Sequence, residues 1–150
     1  MATRDYIFRG LKTRADANGE KVQTPLIDVA GTGATLASVS VVKETGACAA
    51  CVWTLQTSVD GRKRKTIDSA LASATAITGE GGVDRVNADA VAHLGAELTT
   101  NEPTDGTCTV TFTLRKEGGF DDGMQAAEMG GIAVGGNFVG QRLPGDDLGV

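Results

Sequence analysis

The stretch Thr107–Lys116 reads TCTVTFTLRK and indicates the fold class of this chain. In it Cys108, Val110, Phe112 and Leu114 alternate with threonine or arginine. Because successive side chains of a β-strand point to opposite faces, this alternation predicts a strand of an antiparallel sheet with one buried and one solvated face. We interpret the upstream segments as its partners.

Three upstream segments repeat the alternation, at residues 36–43, 51–58 and 91–98. Residues 22–29 also have strand composition but contain a proline, so this strand should lie at a sheet edge or begin after the proline. Residues 69–78 are ambiguous between helix and strand; we predict that they are extended and that a flexible GEGG loop follows at residues 79–82. Six or seven short strands separated by Gly, Asn and Asp turns predict an all-β fold, an antiparallel β-sandwich of jelly-roll-like type.

The core of this sandwich can be predicted from the phase of the strands. Trp53 and Leu55 share one face of their segment, as Val110 and Phe112 share one face of theirs. We therefore expect these four side chains to be buried together, with Trp53 as the main core anchor.

A basic run follows the strongest hairpin signal in the chain. Asp60-Gly61 predicts a two-residue turn, since glycine adopts positive φ easily and aspartate tolerates it. The run after it is either a solvated edge whose charges block strand addition or a surface that contacts phosphate or an acidic partner. Its residues are Arg62, Lys63, Arg64 and Lys65.

Charge and composition divide the chain into an N-terminal arm of residues 1–21, a β-sandwich domain of residues 22–116 and a Gly-rich acidic C-terminal tail of residues 117–150. The first part carries five basic and three acidic groups, whereas the last carries ten glycines and six acids against one arginine. The first part is either an edge strand packed on the domain or an arm that reaches a neighbouring subunit. Apolar or basic residues at the two ends are candidate partner contacts: Tyr6, Ile7, Phe8, Arg9, Phe138 and Leu143.

Candidate catalytic and metal-binding motifs are weak. Cys48 and Cys51 have the spacing of a zinc half-site or a redox pair, and Cys108 and His93 could complete a Cys3His site. However, strand phase places His93 on the opposite face, and Cys51 opens a strand rather than a helix. The single histidine has no evident triad partner, and the glycine groups lack the lysine of a phosphate loop. We therefore predict free structural thiols, no metal, no cofactor and no enzymatic activity.

Composition also limits the partners. The net charge of −5 argues against general affinity for nucleic acid, although it allows local basic patches. No apolar run approaches the roughly 20 residues of a membrane helix, and the N-terminus lacks the apolar segment of a secretory signal. The sequence thus predicts a protein that binds neither a specific nucleic acid nor a membrane.

Three segments carry a family resemblance: ASVSVVK, CVWTLQTSVDGRKRKTID and AHLGAELTTNEPTDGTCTVTFTLRK. Together they resemble small β-sandwich virion proteins of tailed bacteriophages over about residues 35–116. In that group a V-x-L-Q-x-S-x-D-G strand is followed by a threonine and an aspartate, a Leu-Gly pair and a Thr-rich strand. This chain matches the L-Q-x-S-x-D-G part of the first strand, at residues 55–61, and each of the later features. The chain departs from the group where an aromatic-Val-Arg often follows the Leu-Gly pair, since it has Ala-Glu-Leu there.

The resemblance implies a virion structural protein, made in the host cytoplasm and bound to the major capsid protein or other virion proteins as a homo-oligomer. Our first expectation is a capsid decoration or cement protein that stabilises the capsid lattice. The alternatives are a tail or head-to-tail connector protein and, from another class, a carbohydrate-binding sandwich module for host recognition. Sugar-binding faces use exposed aromatic residues, and this chain has one Trp and one Tyr.

Overall fold

The computed structural model describes residues 2–16 and 19–120, and these residues form an antiparallel β-sandwich. One sheet has the strand order β1-β9-β3-β7; the other has the order β2-β8-β4-β5, with β6 also pairing with β4. The predicted all-β antiparallel fold class is confirmed. The strands are β1 (Ala2–Lys12), β2 (Ile27–Asp28), β3 (Leu36–Gly46), β4 (Val52–Ser58), β5 (Lys65–Thr66), β6 (Ala76–Thr78), β7 (Gly81–Asn87), β8 (His93–Thr100) and β9 (Gly106–Lys116).

The strand β9, which contains the TCTVTFTLRK stretch, lies between β1 and β3. Phe112 is opposite Tyr6 on one side and opposite Val39 on the other. The ring of Phe112 also packs edge-on against that of Phe8, with centroids 5.9 Å apart and planes at 72°. β9 is therefore a central strand with both edges paired, and its alternation reflects one face packed in the core and one face turned outward.

The predicted core is confirmed. Trp53, Leu55, Val110 and Phe112 are all fully buried. They come from β4 and β9, which belong to different sheets. Their burial therefore follows from packing the inner faces of the two sheets against each other.

The interpretation of residues 1–21 as an arm outside the sandwich is wrong for residues 2–12. These residues form the edge strand β1, paired with β9 from Ala2 opposite Lys116 to Lys12 opposite Thr107. Edge-strand formation, the other interpretation of this segment, is correct. The physical reason is that Tyr6 and Phe8 extend the inner face of the sheet and are half-buried there.

The turn after β4 is longer than the predicted two-residue hairpin. β4 and β5 do pair, but the chain between them runs from residue 59 to residue 64. The Asp60 carboxylate accepts hydrogen bonds from the Ser58 hydroxyl and from the backbone N–H groups of Arg62 and Lys63, at 2.9 to 3.0 Å. These bonds favour a wider loop closed by the side chain of Asp60 over a tight turn.

Two other predictions about strands need correction. Residues 69–78 are not uniformly extended, since Ser69–Leu71 forms a 3-10 turn before the short strand β6. The GEGG segment is not only a loop, because β7 begins at Gly81 and pairs with β3. By contrast, the proline rule holds, since β2 begins at Ile27, after the proline, at the edge of its sheet.

Candidate functional site

The outer edge of β1 is the longest strand edge that no described strand covers. The pairing of β1 with β9 is regular from Ala2 to Phe8 and is interrupted by a bulge before Leu11. Gly10, with φ of 69°, supplies the left-handed residue of this bulge, and its N–H donates to the Glu44 carboxylate. A regular, unpaired stretch of backbone N–H and C=O groups can template another strand.

The other sheet edges offer much less backbone. At β7, the Ser73 N–H donates to the Arg85 carbonyl at 2.8 Å, and Ala72 forms a bridge with Val86. In the second sheet the edge strands β2, β5 and β6 have only two or three residues each. The open edge of β1 therefore stands out among the described strands as a place for strand addition.

The four predicted contact residues of β1 divide between its two faces. Tyr6 and Phe8 lie on the inner face, half-buried, whereas Ile7 and Arg9 lie on the outer face. Ile7 is 47% exposed on this outer face. Arg9 lies at the bulge, close enough to Glu44 for its charge to help lower the pKa of that carboxyl, after the larger effects of Thr109 and Gly10 hydrogen bonds.

A second exposed surface is the loop of residues 59–65, which we call the basic loop. Val59 at its start is 85% exposed. The hydrogen bonds from Lys63, Arg62 and Ser58 hold the pKa of Asp60 below its ordinary value, so this carboxylate remains charged and keeps the loop closed. The loop borders an open depression of about 380 Å³. It therefore presents an apolar side chain beside several cations.

The four basic residues of this loop do not have equal roles. Arg62, Lys63 and Lys65 are exposed or nearly so, but Arg64 is turned toward the protein. Its guanidinium donates to the Thr24 carbonyl at 2.7 Å and to the Gln56 side chain at 3.2 Å. Arg64 thus fastens the segment before β2 to β4 and is less available to a partner than its neighbours.

The three cysteines lie together inside the domain, and we call them the thiol cluster. Cys48, Cys51 and Cys108 are buried free thiols, with the Cys48 and Cys51 sulfurs 3.6 Å apart. Burial is the main reason that the pKa of Cys51 and that of Cys108 are each raised to about 12. The Trp53 indole N–H is buried and makes no hydrogen bond of normal geometry within the described structure; it lowers the pKa of the Cys108 thiol against the larger effect of burial. These environments suit neutral thiols that pack as small apolar groups.

The connection that carries this cluster is fixed by a buried carboxylate, Glu102. Its Oε2 accepts hydrogen bonds from the N–H groups of Ala49, Ala50 and Cys51, the last at 2.8 Å. These hydrogen bonds, led by that of Ala50, lower the pKa of Glu102 although burial opposes them. The arrangement is structural, because all three donors belong to the turn between β3 and β4.

No described group of three or more His, Cys, Asp and Glu side chains is arranged to hold a metal ion. His93, the nominal fourth ligand of a Cys3His site, has its Nδ1 3.3 Å from the Ser58 carbonyl, at the other end of β4 from Cys51. The fold therefore does not bring His93 to the cluster of Cys48, Cys51 and Cys108.

We expect the thiols to be unreactive and metal-independent in the native protein. Ellman's reagent at pH 8 should label them only after denaturant is added, and Cys48→Ser should fold normally. Because the folded pKa values are raised from 9.0 to about 12, the thiols stabilise the fold below pH 9, and this contribution disappears as the pH rises from 9 to 12. A melting temperature that a chelator lowers and zinc restores would contradict this prediction.

Two features could not be predicted from the sequence, the exposure of Val59 and the burial of Glu102. Val59 follows the strand phase of Leu55, which would direct it to the core, but β4 ends at Ser58 and Val59 is exposed. Glu102 lies in a segment that reads as a polar turn. Its burial depends on a contact with residues 49–51 that is remote in sequence. The predicted contacts Phe138 and Leu143, and the tail from residue 121 onward, lie outside the described residues.

The fold is similar to that of a solved phage protein. The crystal structure of the SPBc2 prophage-derived protein YomS superposes with a TM-score of 0.51 at 7% sequence identity, covering 76% of this chain and 95% of that one. At this identity the likeness concerns the fold. The sequence matches no protein-family model, and no curated protein matches it. Among the residues that the structure describes, no helix has the length and apolar character to span a bilayer.

Proposed function

We propose that this chain is a structural protein of a tailed-phage virion, and specifically a decoration or cement protein that binds and stabilises the capsid lattice. The observation that carries the proposal is the sandwich fold, which a prophage-derived protein shares over nearly its whole length. The strand with the L-Q-x-S-x-D-G residues and the Thr-rich strand, which resemble phage virion proteins, both contribute fully buried side chains to the core of this fold.

The basic loop is the surface we assign to the capsid partner. Val59 provides an apolar contact that is almost fully solvated in the described structure, and Lys63 and Lys65 flank it with positive charge. The Asp60 hydrogen bonds order the loop before binding, which reduces the entropy lost on association. The complementary patch would combine an apolar pocket with acidic side chains.

This assignment predicts which variants lose binding to capsids. Val59→Asp, or Lys63→Glu combined with Lys65→Glu, should weaken co-sedimentation with capsids that lack this protein by about tenfold or more, since central contacts dominate an interface. Lys43→Glu is the matched control, because Lys43 is also exposed but lies in β3, away from the loop. If all these variants bind capsids as tightly as the unmodified protein, the basic loop is not part of the capsid interface.

The acidic tail is a second candidate for attachment, on sequence grounds. Its apolar residues, including Phe138 and Leu143, would add contact area against a neighbouring virion protein. Deleting residues 120–150 should then weaken co-sedimentation in the same assay. Undiminished binding by the truncated protein would show that the sandwich surface, and not the tail, attaches the protein to the capsid.

The composition of purified virions tests the proposal itself. Mass spectrometry of purified particles should detect the chain in many copies, as expected for a lattice-binding protein. Detection at only a few copies per particle would favour a tail or head-to-tail connector protein, and absence from the particle would contradict the proposal. A sugar-binding module is disfavoured because Trp53 is fully buried and cannot stack on a sugar ring; a glycan array should show no binding.

A further inference from the structure

We propose that two copies of this chain associate through β1, whose open edges pair antiparallel about a two-fold axis at Ile7. The two four-stranded sheets would then form one continuous sheet. This inference goes beyond the proposed function, because it concerns how two copies pair and does not require a virion. It rests on the outer edge of β1 around Ile7, which no described strand covers, and on a charge pattern that is complementary to itself.

The outer face of β1 carries the first part of this pattern. Asp5, Ile7 and Arg9 are successive exposed residues on that face, with the apolar residue between opposite charges. A two-fold axis at Ile7 places Ile7 against the partner's Ile7 and Asp5 against the partner's Arg9, and symmetry repeats that ion pair on the other side of the axis. Opposite charges directly across a strand pair stabilise it, whereas like charges destabilise it. The same register thus buries the 47% exposed Ile7 and pairs both charges.

The inner face of β1 would also gain favourable cross-strand contacts in this register. There Tyr6 would face the partner's Phe8, and Phe8 the partner's Tyr6. Both rings are only half-buried within one copy, although Phe8 already packs on Phe112. Aromatic pairs across antiparallel strands are among the favourable cross-strand contacts. Both faces of β1 therefore gain contacts from one and the same pairing.

The rest of the molecule explains why this edge, and not another, would pair. The edge of β7 is covered in part by Ala72 and Ser73, and the edge strands of the second sheet are two or three residues long. The bulge at Gly10 ends the regular edge just beyond Arg9, so it limits the ladder to the segment around Ile7. Glu44, the acid near Arg9, already accepts hydrogen bonds from Gly10 and Thr109, which leaves Arg9 available to the partner's Asp5.

Charge exchange tests the self-complementary register on the full chain. Sedimentation velocity over a range of micromolar concentrations should show a monomer–dimer equilibrium for the unmodified protein. Asp5→Arg alone and Arg9→Asp alone each place like charges opposite each other twice, and should raise the dimer Kd by about tenfold or more. The double variant with both exchanges should return the Kd to within about threefold of the original, because the opposite charges face each other again.

Cysteine cross-linking tests the position of the axis. In this register Ile7→Cys brings two identical positions to the short Cα separation that a disulfide needs, so a mild oxidant should form a covalent dimer. Asp5→Cys alone should cross-link poorly, but a mixture of Asp5→Cys and Arg9→Cys chains should cross-link efficiently. The three native thiols are buried, and the unmodified protein serves as the control.

Either of two results would overturn the proposal. One is a monomer at every concentration, with Ile7→Cys cross-linking no faster than Asp5→Cys. The other is a dimer whose Kd the single exchanges leave unchanged, or which the double exchange does not restore. In both cases a second copy would not pair with the edge of β1, which would then be available to the tail of this chain or to a strand of a different protein.

Discussion

Phe112→Ala is expected to lower the free energy of unfolding by about 3 to 5 kcal/mol, the largest effect of any single substitution considered for this protein. The side chain is fully buried in the central strand of its sheet. Its removal eliminates the ring contact with Phe8 and leaves a cavity between the two sheets. Strands paired on both sides have little freedom to collapse into such a cavity.

Denaturant unfolding measures this loss directly. Thr111→Ala is the matched control, since Thr111 is the neighbouring residue of β9, half-exposed on the opposite face. Its effect should stay within about 0.5 kcal/mol. A loss below about 1 kcal/mol for Phe112→Ala would show that the assigned phase of β9 is wrong.

Glu102→Ala is expected to produce the second large effect, a clear fall in melting temperature at neutral pH. The substitution removes the acceptor of three backbone N–H groups in the turn that carries the thiol cluster. Glu102→Gln should have a smaller effect, because its side-chain oxygen can still accept hydrogen bonds but lacks the charge. Glu117→Gln, at an exposed carboxylate in the same compact unit, is the control and should leave the melting temperature unchanged.

The same carboxylate gives a pH dependence with a definite sign. Its folded-state pKa is lowered below the ordinary value of 4.5, so the unfolded chain binds the proton more tightly. The stabilisation is therefore complete above about pH 4.5 and is lost as the pH falls through the folded-state pKa. In Glu102→Gln the acid limb of a plot of melting temperature against pH should be shallower than in the unmodified protein. An identical acid limb in both would contradict this role.

Local periodicity was sufficient to predict the fold class. The alternation in β9 and β4 correctly predicted that Val110, Phe112, Trp53 and Leu55 are buried, because a two-residue period assigns each side chain to one face whatever the strand pairs with. The proline before Ile27 placed β2 at an edge for an equally local reason, the missing backbone donor. These properties depend on residues close together in the chain.

Side-chain hydrogen bonds and long-range pairing limited the remaining predictions. The wide loop after β4 depends on Asp60, whose carboxylate binds two N–H groups that a tight turn would arrange differently. In the same way, Arg64 looked like one of four equivalent cations, but its contact with Thr24 is 40 residues distant. Nothing in the letters RKRK distinguishes the one half-buried cation from the three exposed ones.

The sequence alone thus determined that this protein is an all-β sandwich with Trp53 and Phe112 in its core. The tertiary structure was needed to show that residues 2–12 form an edge strand of the sheet, and that no other described strand covers its outer edge. It was also needed to find Glu102 beneath the turn that carries Cys51. The physical reason is that burial on one face is encoded every second residue, whereas strand order and buried-charge contacts arise between segments 50 to more than 100 residues apart.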